Sequence, residues 1–168
     1  MGWLSKLLGY VPAKEWAGIT LAPADAWGVP APTDAARFFR AISAFAPPGS
    51  VLYLEGGSPS PEILAYLDAR VPAKTTKVAV GTVWPRPEVF HMSITSGNLE
   101  GLAESAERHA LPELAVHIHV YKDADVILQW HDADGRKPIL VSKRISVDTV
   151  REFCDQAGID GRLVRDAG

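Results

Sequence analysis

This chain of 168 residues has one cysteine, and no apolar stretch in it reaches the roughly 18 consecutive residues that a membrane-spanning helix needs. A lone Cys154 can close neither an internal disulfide nor a cysteine-based zinc site, which points to a reducing, cytoplasmic setting. The opening stretch, MGWLSKLLGYVPAKEW, is interrupted by Gly9 and Pro12 and is too short in its apolar run for a secretory leader. Neither sign of charge dominates: 17 Lys and Arg stand against 20 Asp and Glu, a net charge of −3. That balance gives no basic footprint for nucleic acid and little attraction to an anionic lipid surface. Internal repeats, low-complexity tracts and glycine-rich phosphate loops are missing as well.

What is there is enough for an ordinary core. Hydrophobic residues at 47% and charged residues at 22% exclude wholesale disorder. Apolar periodicity predicts helices from Thr33 to Phe45, from Pro61 to about Arg70, from about Asn98 to Ala110, and from Ser146 to Gly158. Runs rich in β-branched and aromatic residues predict strands at 51–55, 76–83, 88–95, 115–121, 126–131 and 139–145, the second and third joined as a hairpin through Trp84–Pro87. Short connections imply mostly antiparallel pairing. The expected fold is therefore α+β: a single domain over residues 33–168, with about six strands, a C-terminal three-stranded meander, and helices on one face. Residues 1–32 read as an arm. Trp3, Leu4, Leu7, Leu8 and Val11 share one face of a short amphipathic helix, and three of the five tryptophans fall within the first 27 residues. That is too much apolar surface for a free tail, so the arm is expected to pack on the domain or to anchor a partner.

The most informative segment is Val116–Tyr121 followed by Val126–His131. Alternation sets His117, His119 and Tyr121 on one side of the strand and Val116, Ile118 and Val120 on the other. A two-residue turn at Asp123-Ala124 would pair His117 with Trp130 and scatter polar residues over both faces. A three-residue loop over residues 123–125 pairs His117 with His131 and His119 with Gln129, and gathers Val116, Ile118, Val120, Val126, Leu128 and Trp130 on one apolar face. The second register is expected, with Leu140 of the next strand opposite Gln129. The other face then carries His117, His119, Tyr121, Gln129, His131, Leu140, Ser142 and Arg144, with the texture of a binding surface or of a solvated sheet face. Glu55, at a strand end, is expected to face solvent.

Histidines spaced this way are candidates for shared chemistry. His117, His119 and His131 would come closest to a metal site, but with no carboxylate expected on their face to orient the rings, no metal or other cofactor is assigned. His91-Met92-Ser93-Ile94 resembles half of the two-histidine phosphoesterase motif, yet His117-Ile118-His119 lacks the hydroxyl residue a second half needs. Cys154, on the apolar stripe of the last helix, reads as a buried inert thiol. The function expected is therefore non-catalytic: a module that docks to another protein or to itself, as immunity proteins, inhibitors and adaptor subunits do. Its candidate binding residues are His117, His119, Tyr121, Gln129, His131, Arg144, Trp3 and Leu7. The alternative is a hydrolase or isomerase that works through the histidine face, with or without metal.

Overall fold

The computed structural model describes residues 17–82 and 86–168. Trp3 and Leu7, and with them the expected amphipathic helix, lie outside the described residues. Among the described residues seven strands, one more than expected, form a single open sheet: β1 (Ala26–Val29), β2 (Val51–Glu55), β3 (Val89–Ser93), β4 (His117–Lys122), β5 (Asp125–Trp130), β6 (Ile139–Ser142) and β7 (Arg165–Asp166). Their order is β3-β2-β4-β5-β6-β1-β7, and every neighbouring pair is antiparallel. The fold is α+β in one domain, and β4, β5 and β6 form the expected meander. No helix among the described residues is long and apolar enough to cross a membrane.

Helices α1 (Ala35–Phe45), α2 (Pro61–Asp68), α3 (Ser96–Ala106), α4 (Leu111–Leu114) and α5 (Val147–Ala157) complete the fold. Their starts follow local chemistry. Asp34, Ser60, Thr95 and Ser146 each accept a main-chain N–H of the first turn of α1, α2, α3 and α5 through the side-chain oxygen. The α1 cap is Asp34 rather than the expected Thr33. Gly158 closes α5 in the left-handed region, at φ 74°. The apolar stripes of α1, α3 and α5 pack against one face of the sheet, where Phe38, Ile42, Leu54, Leu102, Ile118, Trp130, Val141 and Phe153 form the main core. Edge-to-face contact of Phe38 with Trp130, centroids 5.2 Å apart, ties α1 to β5.

Two sequence expectations are corrected here. Residues 76–82 do not form a sheet strand, and β3 pairs with β2 instead of with that run, so that His91 stands opposite Tyr53; the expected hairpin loop over residues 84–87 lies partly outside the described residues. Among the described residues, Val78 makes only an isolated parallel bridge with Ile19. The run therefore crosses the other face of the sheet, where Val78 buries against Tyr53, Val51 and Tyr121. Second, the β4–β5 hairpin uses both weighed registers in succession. Lys122 pairs with Asp125 and Tyr121 with Val126 around a two-residue turn, with Asp123 at φ 52°. A bulge then shifts the pairing, so that Val120 faces Leu128, His119 faces Gln129 and Ile118 faces Trp130. The bulge turns Val126 away from the helix-facing core, where it was expected, to pack with Leu21 and Ala26 on the opposite face.

Candidate functional site

The face opposite the helices is polar in the centre and covered by the chain itself. Alternation along β2, β3, β4 and β5 delivers Tyr53, Glu55, His91, His117, His119, Tyr121 and Gln129 to it, with His131 just beyond the end of β5. Four of the five histidines of the chain thus share one side of the sheet. Two segments lie across them. Residues 17–22 and 76–82 run side by side, joined by Ile19 N–H to Lys77 O (2.9 Å) and Ala79 N–H to Ile19 O (3.0 Å). Gly18 permits this approach, because a Cβ there would stand 2.4 Å from the main-chain carbon of Val78.

Burial reverses the expected exposure of this face. His119 and Glu55 are 0% exposed, and Tyr121, His117 and Gln129 are also buried. Glu55, expected in solvent, accepts the main-chain N–H groups of Gly81 (3.0 Å) and Thr82 (2.6 Å) and the hydroxyl of Tyr53 (2.7 Å). A buried carboxylate is tolerable because these donors replace its lost water. Tyr121 Oη accepts from Thr76 N–H (3.1 Å), and Gln129 Oε1 accepts from Leu21 N–H (3.0 Å) and the Thr20 hydroxyl (2.9 Å). Each of these side chains holds a covering segment to the sheet.

The imidazoles form a contiguous group. His117 and His131 rings have centroids 5.0 Å apart, and so do His119 and His131. Asp132 N–H donates to His117 Nδ1 at 3.0 Å, so that nitrogen is an acceptor and the ring proton sits on Nε2, 3.9 Å from Glu55 Oε1. His131 Nδ1 stands 3.2 Å from the same acceptor and must be the donor in that contact. Neither nitrogen of His119 has a hydrogen-bond partner among the described residues. Burial, reinforced by His131 and His117, pushes the His119 pKa down to about 3, and burial likewise lowers His131 and His91. Burial raises the Tyr53 hydroxyl, with Glu55 beside it adding to the effect, and burial also raises Tyr121. His119, His131 and His91 are thus pushed toward their neutral forms.

Of the sequence candidates, the structure gathers His117, His119, Tyr121, Gln129 and His131 and leaves Arg144 apart. Arg144 is exposed in the turn after β6, paired with Asp125 at the tip of the β4–β5 hairpin. The carboxylate expected to be missing from this face is Glu55, which the alternation of β2 places there but which its position at a strand end obscured. Tyr53 and His91 also join the group unforeseen, since their facing depends on the β2–β3 register. Among the described residues no set of three or more His, Cys, Asp or Glu is arranged to hold a metal ion. His117 Nδ1 is already engaged by Asp132, and His119 does not converge on it. Cys154 is buried, with its thiol pushed up to about 11 by burial and by Asp155. No protein-family model, curated protein or solved structure matches the chain.

Proposed function

We propose that this chain is a cytoplasmic protein-binding module of the immunity, inhibitor or adaptor kind, acting with no catalytic step or cofactor of its own. The observation that supports this most is how its polar face is used. Glu55, His117, Tyr121 and Gln129 each accept a main-chain N–H of this same chain. A general base needs a free lone pair aimed at a substrate proton, whereas these lone pairs are committed to the fold. Docking then falls to the exterior. A groove of about 720 Å³ between β1, β6 and β7 is lined by Pro30, Pro138 and Leu140, together with Arg165, Asp166 and Arg136, the last paired with Asp134. It also holds Leu163, one of the large hydrophobic side chains left exposed, at 47%. An apolar segment on another protein fits such a groove, the leucine serving as anchor.

The test is capture with the full chain as bait, followed by titration of the purified captured protein. Saturable binding that weakens about ten-fold or more in a folded Leu163→Glu variant supports the reading. Binding that ignores Leu163→Glu removes the groove from it, and solution mass identifies the case in which the partner is a second copy. One observation favours the alternative, a hydrolase or isomerase: His119 keeps two unpartnered nitrogens. Substrate would reach them only if the covering segments lifted from the sheet, and turnover abolished by His119→Ala would establish it.

A further inference from the structure

The two segments that cover the histidine face lie outside the main core. Val78 is buried in a small cluster with Val51, Tyr53 and Tyr121, and Leu21 in another with Ala26 and Val126, both apart from the helix-facing cluster. In place of a strand ladder, the segments are tied to the sheet through Tyr121, Gln129 and Glu55, which accept the N–H groups of Thr76, of Leu21, and of Gly81 and Thr82. A segment with so few buried apolar contacts opens at a lower free energy than a packed core. The cover can therefore leave without parting Phe38, Leu102, Trp130 and Phe153 on the far side of the sheet.

What the cover seals is a face with no ready place for a proton. His119 is 0% exposed, and neither of its nitrogens has a partner among the described residues. The His131 ring stands 5.0 Å from both His119 and His117, and the Tyr53 ring separates His119 from His91. Counter-charge is scarce around them. Glu55 on β2 is engaged by Gly81, Thr82 and Tyr53, and Asp132, 4.0 Å from His117 Nδ1, pairs with Lys137. Burial keeps the Tyr53 and Tyr121 hydroxyls protonated. Residues 17–22 carry no titratable side chain, and residues 76–82 carry only Lys77, of the same sign as a protonated ring. The closed face thus favours neutral imidazoles, whereas an open face returns His119 to water and to its ordinary value of 6.5.

We propose that this face is an acid-operated gate: proton uptake by His119 and the rings beside it releases residues 17–22 and 76–82 from the sheet while the helix-facing core stays packed. The open form is a minority species above pH 5 and grows as pH falls. Hydrogen exchange of the isotope-labelled full chain without denaturant, where reclosing outpaces exchange, reads its population once each rate is divided by the intrinsic rate at that pH. The opening constants at the amides of Leu21, Thr76, Gly81 and Thr82 are expected to rise together by about ten-fold or more from pH 7.5 to 5.5, an interval above the ordinary carboxylate range. At pH 5.5 they are expected to exceed those at Leu102 and Phe153 by at least about ten-fold, the mark of local rather than global opening. In His119→Leu, or His119→Gln should the leucine variant not fold, the rise is expected to be at least about three-fold smaller than in the parent. Opening constants that ignore pH, that equal those at Leu102 and Phe153, or that rise as steeply without His119 overturn the proposal.

Discussion

Gly81 lies against the ring of His117: a Cβ on that glycine would stand 2.8 Å from Cδ2 and 2.9 Å from Nε2 of the imidazole. The covering segment can therefore reach the sheet, and Glu55 can take its N–H groups, only because residue 81 has no side chain. Gly81→Ala is expected to cost about 1–3 kcal/mol, the usual range for overpacking a close-packed site. Gly97, near the start of α3 with open space around it, is the control, and Gly97→Ala is expected to be neutral or to stabilise by about 0.5–1 kcal/mol. Equilibrium urea unfolding of the two variants decides, and equal behaviour at both positions contradicts the close approach.

Glu55 fastens the same segment electrostatically. Glu55→Gln sets an amide NH₂ among the N–H groups of Gly81 and Thr82, so at least one donor loses its acceptor. A loss of about 2–4 kcal/mol is expected, together with faster hydrogen exchange at the amides of residues 81 and 82 than at the helix-facing core. A variant as stable as the parent, with those two amides still protected, contradicts the latch.

Stability should fall on mild acidification. His119 has a pKa of about 3 in the folded chain against 6.5 when unfolded, so below pH 6.5 the unfolded chain binds the extra proton. The contribution of the neutral ring is complete above about pH 6.5 and is lost as pH falls from there toward 3. Its slope is about 1.4 kcal/mol per pH unit, and His131 and His91, shifted the same way but partly solvated, add less. His119→Leu removes two unpartnered nitrogens without emptying the site. It is expected to leave stability at pH 7 unchanged or raised by about 1–2 kcal/mol and to flatten the profile between pH 6.5 and 5. Unfolding midpoints across that interval supply the check, and a parent protein with a flat profile refutes the assignment.

Cys154 should be silent toward thiol reagents. It is fully buried on α5 and its thiol is pushed up to about 11, so neither access nor thiolate is available at neutral pH. Reaction with a chromogenic disulfide is expected only at the rate of unfolding, rising with urea. Prompt labelling of the native protein would show α5 to be less tightly packed than described.

The helix-facing core was legible because its signal is local. The spacing of Phe38, Phe39, Ile42 and Phe45, the caps at Ser60 and Ser146, and the alternation of β4 each fix an element without outside help. The partnership of His119 with Gln129 also followed from one requirement, an unbroken apolar side, and that of Gln129 with Leu140 from a short turn into the next strand. What covers the other side left no such trace. Residues 76–82 are rich in β-branched side chains and look like a strand, yet their burial comes from lying across a face rather than from joining the ladder. Glu55 stands at the end of an apolar run, and only the main chain of residues distant in sequence makes its burial possible. The bulge at Val120/Tyr121 was hidden because a turn of two residues followed by one extra residue gives the same downstream register as a loop of three.

The most direct measurement is the protonation of the His119 ring, followed by long-range ¹H–¹⁵N correlation in the folded chain from pH 8 to 5. The account expects His119 to stay neutral throughout that range, its titration near 3 lying beyond it. His119 taking up its proton near the ordinary value of 6.5 while the chain remains folded would contradict it: the histidine face would then be open to water, and the covering segments would not be its seal.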